Sequence, residues 1–159
     1  MWREINEDHD LDKLVILQQS SPWLCQAVMP TNKLKRVLAT KEDSHCYLYE
    51  NPKNEFSAYC MYKYNAKYDS MYIFQWHVFY NFDKPLDIKN PNDIDRINEI
   101  VNISADITKI IIERHGKKST RRFAPAIDKA IGWDKIREIY TEKGIKITDK
   151  ENYREYELI

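Results

Sequence analysis

Glycine is nearly missing from this chain. Three occur in 159 residues, Gly116, Gly132 and Gly144, and none lies in the first 115. That stretch therefore cannot supply a Rossmann fingerprint, a Walker loop, a G-x-S-x-G elbow or a standard EF-hand loop, because each needs backbone that only glycine provides. Cysteine is scarce as well. Cys25, Cys46 and Cys60 make an odd number with no C-x-x-C pair, which argues against a disulfide framework and for a reducing compartment. No apolar run approaches the roughly 18 residues that cross a bilayer. The opening Met1-Trp2-Arg3-Glu4-Ile5 lacks the apolar core of a signal peptide, so the expected setting is the cytoplasm, with no membrane. An excess of charge is missing too: 25 Lys+Arg face 25 Asp+Glu. A nucleic-acid domain usually carries a clear basic excess, so nucleic acid is a disfavoured partner.

What is present is apolar residue in short, well-punctuated segments. At 159 residues without repeat, linker or low-complexity stretch, the chain is expected to form one domain, 1–159. Trp2 to Ile5 reads as a short strand. Asp10 caps a helix carried by Leu11, Leu14, Val15 and Leu17, and two further helical stretches are expected at 23–29 and 32–39. From His45 the apolar period drops to two. His45 to Glu50, Phe56 to Tyr64 and Ser70 to Tyr80 read as three consecutive strands, separated by the turn chemistry of 51–54 and 65–69. The third, SMYIFQWHVFY, is apolar on both faces, as a central strand should be. A long helix follows, capped by Asn92 or Asp93 and running to about Arg114, with Gly116 as its C′ residue. Beyond it, Lys117 to Thr120 suits a short strand or loop, Arg121 to Ile131 a helix, and Lys135 to Thr141 and Tyr153 to Ile159 two closing strands. The predicted class is mixed α/β, a meander feeding one crossover helix.

This order resembles the GNAT fold, that of the GCN5-related N-acyltransferases, with a mixed, largely antiparallel sheet and helices on both faces. Trp2-Arg3-Glu4-Ile5 followed by Asp10-Leu11-Asp12-Lys13-Leu14-Val15 is similar to the family's first strand and its "D-L-x-x-L" helix. Ile127-Asp128-Lys129-Ala130-Ile131-Gly132-Trp133 resembles its helix and "G-F" step, with Lys135 to Tyr140 and Tyr153 to Leu158 taken as its closing hairpin. The resemblance implies an acyl-CoA site at a "Q/R-x-x-G-x-G/A" loop before the long helix, where glycines let backbone N–H groups reach a pyrophosphate. Here that place holds residues 81–91 without one glycine, and Asp93 and Asp95 follow in the first turn. The family's tyrosine general acid, four residues before the "G-F" step, is replaced by Asp128. Some phage-encoded GNAT-like proteins look like this, with the scaffold kept and the phosphate loop lost.

Four groups of residues are candidates for function. Gln75 and His77 share one face of the longest strand, where the family often places a general base or its water-holding partner, and imidazole chemistry suits deprotonation of an ammonium. Both also fit as hydrogen-bonded core residues. Arg114, Lys117, Lys118, Arg121 and Arg122 put five cations in nine residues without an acid. In a GNAT frame this segment ends the long helix and opens the next. Lys118, Arg121 and Arg122 are then candidates to hold a CoA phosphate or an acidic partner, against the alternative of a solvated turn. Eight tyrosines between residues 47 and 80 suit a protein-binding face, or simply strand propensity. Asp8-His9-Asp10 reads as a helix cap, and Cys25, His45, Cys46 and Cys60 lack ligand spacing, so no metal is expected.

The leading expectation is thus a GNAT-type protein without acyl transfer and without a cofactor. It binds a protein partner through the tyrosine-rich strands or segment 114–122, as a virion component or in the host cytoplasm if phage-encoded. The alternative is an acetyl-CoA-dependent N-acetyltransferase with an atypical phosphate loop, and a third is a nucleic-acid-binding regulator.

Overall fold

Among the described residues most alternating segments are strands and the long 3.6-period segment is a helix, while two segments depart from the sequence reading. The computed structural model describes residues 1–5, 10–14, 44–53, 56–80, 87, 89–122 and 132–159; the side chains of Phe56, His77, Phe79 and Tyr80 fall outside this set. Strands β1 (Trp2–Glu4), β2 (Ser44–Glu50), β3 (Phe56–Asn65) and β4 (Ser70–Tyr80) precede helix α1 (Pro91–His115). Strand β5 (Ser119–Arg122), helix α2 (Trp133–Glu142) and strands β6 (Ile145–Asp149) and β7 (Tyr153–Leu158) follow. Residues 10–14 are helical. The helices expected at 23–29 and 32–39, and residues 123–131, lie outside the described residues.

Among the described residues the strands form one seven-stranded sheet in the order β1-β2-β3-β4-β5-β7-β6. β4 and β5 run parallel, as a strand–helix–strand crossover through α1 requires. The pairs β1–β2, β2–β3, β5–β7 and β6–β7 are antiparallel. This is the mixed, largely antiparallel α/β class that the residue pattern predicts.

The chain divides into two compact units, residues 1–64 with 74–84, and residues 65–73 with 85–159. In the first, helix 10–14 lays Leu11 and Leu14 on a cluster with Ile5, Cys46, Leu48, Tyr59 and Met61, against which Phe74 packs. Asp10 is buried at the start of that helix and receives the Arg3 guanidinium at 3.0 and 3.2 Å. Burial, with the neighbouring Cys60 next in weight, pushes the Cys46 thiol well above its ordinary range, so it behaves as a small apolar group.

In the second unit, α1 buries a stripe that includes Ile97, Ile100, Val101, Ile103, Ile107 and Ile111. Val101, Ala105 and Ile112 pack with Ile136, Ile139 and Tyr140 of α2 and with Ile145 and Tyr156. The Ser104 and Tyr140 hydroxyls meet at 2.6 Å, satisfying two buried polar groups. Arg154, itself buried, donates to Asp149 at 2.9 Å and lies 3.8 Å over the Trp133 ring.

Three boundaries correct the sequence reading. α1 starts at Pro91, with Asn90 rather than Asn92 or Asp93 as its cap, because proline suits the first helical position and the Asn90 side chain accepts from Asn92 N–H at 3.0 Å. Arg121 and Arg122 extend strand β5 instead of opening a helix; their backbones pair with Arg154 and Tyr153 of β7. Lys135 to Thr141 is helix α2, not a strand. Its buried residues Ile136, Ile139 and Tyr140 stand at i, i+3 and i+4, which is helical spacing. The closing hairpin is consequently β6–β7.

Candidate functional site

β4 carries the first candidate pair. Beginning at Ser70, the strand pairs with β5 over three positions, Met71–Ser119, Tyr72–Thr120 and Ile73–Arg121. Gln75 stands two residues past that ladder, half-buried. Its carboxamide oxygen accepts a hydrogen bond from the Tyr59 hydroxyl at 2.6 Å, and Tyr59 is fully buried. His77 occupies the same strand, and its side chain lies outside the described residues. Nothing in the sequence distinguished Tyr59 from the other tyrosines of the meander; only its partner does.

The tyrosines separate by burial. Tyr59 and Tyr62 are wholly buried and Tyr47 nearly so, whereas Tyr64 is 38% exposed. The rings of His45 and Tyr62 stack at 5.0 Å, and Glu4 reaches His45 Nδ1 at 3.2 Å. Tyr59 and Tyr62 are therefore core residues, and strand propensity with burial accounts for them.

The basic segment is likewise divided. Arg114 lies in the last turn of α1, where a cation complements the helix dipole. Gly116 then turns the chain with φ of 63°, and its N–H closes on Ile112 C=O at 2.8 Å. Lys117 donates to Asp69 at 2.7 Å. Lys118 donates to Glu155 at 2.7 Å, and that hydrogen bond raises its pKa. The Arg121 guanidinium stands 5.7 Å from the Tyr156 ring. Arg122 is exposed. Of the three cations expected to hold a phosphate, Lys118 is already compensated, Arg121 is drawn to the helix-covered face beside Tyr156, and Arg122 is presented to solvent. Neighbouring strand residues point to opposite faces, so Arg121 and Arg122 do not form one clamp.

The start of α1 is the place where the GNAT resemblance puts a pyrophosphate, and the chain's own groups fill much of it. Pro91 has no N–H. The Asn90 carboxamide takes the N–H of Asn92, and the Asn90 carbonyl takes that of Asp93 at 2.9 Å. The Asp93 carboxylate accepts from Asp87 N–H at 3.0 Å and lies 3.5 Å from Arg96. Among the described residues no cluster of His, Cys, Asp or Glu is placed to hold a metal ion, and no helix is long and apolar enough to cross a membrane.

Searches by sequence find nothing: no protein-family model matches, and no curated protein matches. Comparison of folds does. A chimera of the spermidine N-acetyltransferase SpeG from Vibrio cholerae and hSSAT matches over 99% of this chain and 96% of its own, with a TM-score of 0.52 and 13% identity. The fold is the GNAT fold. Two further structures of the Vibrio cholerae enzyme match with lower scores. The spermidine/spermine N-acetyltransferase SpeG in complex with manganese ions covers 99% of this chain and 91% of its own, at 15% identity and TM-score 0.49. The spermidine N-acetyltransferase in complex with CoA and spermine covers 99% and 94%, at 13% identity and TM-score 0.47. At these identities the likeness is one of architecture, and the substrates of those enzymes do not transfer with it.

Proposed function

We propose that this protein is an acyl-CoA-dependent N-acyltransferase with an atypical way of holding the cofactor's phosphates. The observation that carries the reading is the β4–α1–β5 crossover of the GNAT fold, with Gln75 and His77 on β4 beyond its three-residue ladder with β5. This departs from the leading sequence expectation of a protein without acyl transfer, and the full-length fold match to an acetyltransferase supports the change. Acetyl-CoA is the cofactor of the proposal, and a cytoplasmic setting suits both it and the cysteine pattern.

The chemistry is the attack of a neutral amine on the thioester carbonyl. The new C–N bond forms as the C–S bond breaks; the amine's proton is lost to a base, and the departing CoA sulfur ends as a thiol. His77 is the residue type suited to take that proton near neutral pH. With the amides of Asn92 and Asp93 occupied by the Asn90 cap, the phosphates call for side-chain cations, and Arg122 is the exposed one on β5. The acceptor class is a primary amine.

A second reading, a GNAT scaffold that binds a protein partner without acyl transfer, is favoured by that same self-capped start of α1. Thiol release from acetyl-CoA decides between them, measured with spermidine and with a lysine-containing peptide as acceptors. The enzyme reading expects turnover that His77→Ala lowers by about 10²-fold or more. No turnover with any amine supports the scaffold.

A further inference from the structure

Helices α1 and α2 of the second unit leave a groove of about 210 Å³ between them, lined by Asn98, Asn102, Lys135, Glu138, Ile139 and Glu142. Asn98 and Asn102 stand one turn apart on α1, as Glu138 and Glu142 do on α2, so each pair shares a helix face. One turn further along α1, Asp106 meets Lys143 at 2.9 Å, and Lys143 is the residue that closes α2. At that level a carboxylate finds an ammonium. Within the groove, carboxamides on α1 stand against carboxylates on α2, so both walls offer acceptors.

These acceptors are unsatisfied. Asn98 Oδ1 is buried without a hydrogen-bond partner among the described residues, although buried polar atoms are as a rule bonded. Asn102 donates through its NH2 group to the Asn98 carbonyl at 2.8 Å, which anchors that carboxamide by its nitrogen end. Among the described residues Glu138, Glu142 and Lys135 form no ion pair. Like charges one helical turn apart repel, so Glu138 and Glu142 gain from a cation between them. Two carboxylates against one ammonium leave the groove negative, which disfavours a phosphate or carboxylate ligand. The Asn98 carboxamide has nearly isosteric ends on a broad terminal torsion. A half-turn therefore brings its oxygen to the groove at little cost, and a donating ligand selects that orientation.

We infer that the α1–α2 groove is a binding site for a small organic ammonium, held by the Asn98 carboxamide oxygen and the Glu138 and Glu142 carboxylates, with its alkyl chain on Ile139. The volume lies below that of drug-sized pockets, so the ligand is a short chain. The site lies within the second unit and does not rest on the acyltransferase reading.

The test is an NMR titration of the unaltered, 15N-labelled protein with n-butylammonium chloride. The side-chain amide resonances of Asn98, assigned by their absence in Asn98→Ala, and those of Asn102 should shift and saturate, with a dissociation constant of about 1 mM. 1-Butanol, which has the chain without the charge, and sodium chloride at equal ionic strength should not reproduce the shifts. Glu138→Gln combined with Glu142→Gln should weaken binding about 10-fold, and Asn98→Ala about as much. Glu138 and Glu142 are exposed and glutamine is nearly as good a helix former, so that double variant keeps the fold. Shifts that do not saturate, the same shifts with 1-butanol or sodium chloride, or an unchanged affinity in either variant overturn the inference.

Discussion

Lys118 and Glu155 form an ion pair of 2.7 Å that ties the strand entering from α1 to β7. Glu155 is buried, and its carboxylate also has the Tyr153 hydroxyl at 3.4 Å and Lys150 at 3.9 Å. A buried carboxylate suffers more from losing its partner than the pair gains by existing. Lys118→Met should therefore destabilise by about 1–2 kcal/mol, and adding Glu155→Gln should recover part of that loss. Urea unfolding of the two single variants and the double checks this. A double variant weaker than the sum of the singles would refute it.

Tyr156 sets the alkaline limit of the second unit. Burial is the main cause that pushes its hydroxyl up to about 12, against a smaller opposing pull from Arg121. A folded pKa raised above the unfolded value of 10.0 means that stability is whole below pH 10 and drains as pH rises toward 12. The full loss is about 3 kcal/mol. The raised pKa of Lys118 acts in the same direction. Unfolding midpoints measured between pH 8 and 12 should fall in wild type and fall less in Tyr156→Phe.

Gly116 carries the turn between α1 and β5 at φ of 63°, and a Cβ placed there would meet nothing within 4 Å. The cost of Gly116→Ala is thus backbone strain without a clash, about 1 kcal/mol, lowering Tm by about 2–4 °C. Gly116→Asn should cost less, since asparagine tolerates the left-handed region. Calorimetric melting of both variants tests the order.

The fold was readable where one signal stood alone. Ser70 to Tyr80 is largely apolar on both faces and free of glycine and proline, and the strand has those bounds. The stripe from Ile97 to Ile111 with Gly116 behind it left only a helix as a solution. In Lys135 to Thr141, two signals competed. Ile136 and Ile139 are three apart, but the β-branched residues and Tyr140 have strand propensity, and packing against α1 decided for the helix. The candidate site was less legible. Charge density around residues 114–122 says nothing of where the acids lie, and Asp69 and Glu155 come from distant positions in the chain. Gln75 stood out as a polar residue in an apolar strand, whereas its partner Tyr59 is chosen by a register that sequence alone does not specify.

The central claim is that this glycine-poor GNAT fold takes an acyl-CoA although the start of α1 is capped by the chain's own Asn90 and carries the Asp93 carboxylate, which accepts from Asp87 N–H. Calorimetric titration of the unaltered protein with acetyl-CoA tests it most directly. The account predicts one site with a dissociation constant in the micromolar range, about −7 to −8 kcal/mol. It also predicts weakening by Arg122→Gln and by added salt. No binding up to about 1 mM acetyl-CoA, roughly −4 kcal/mol, would contradict it.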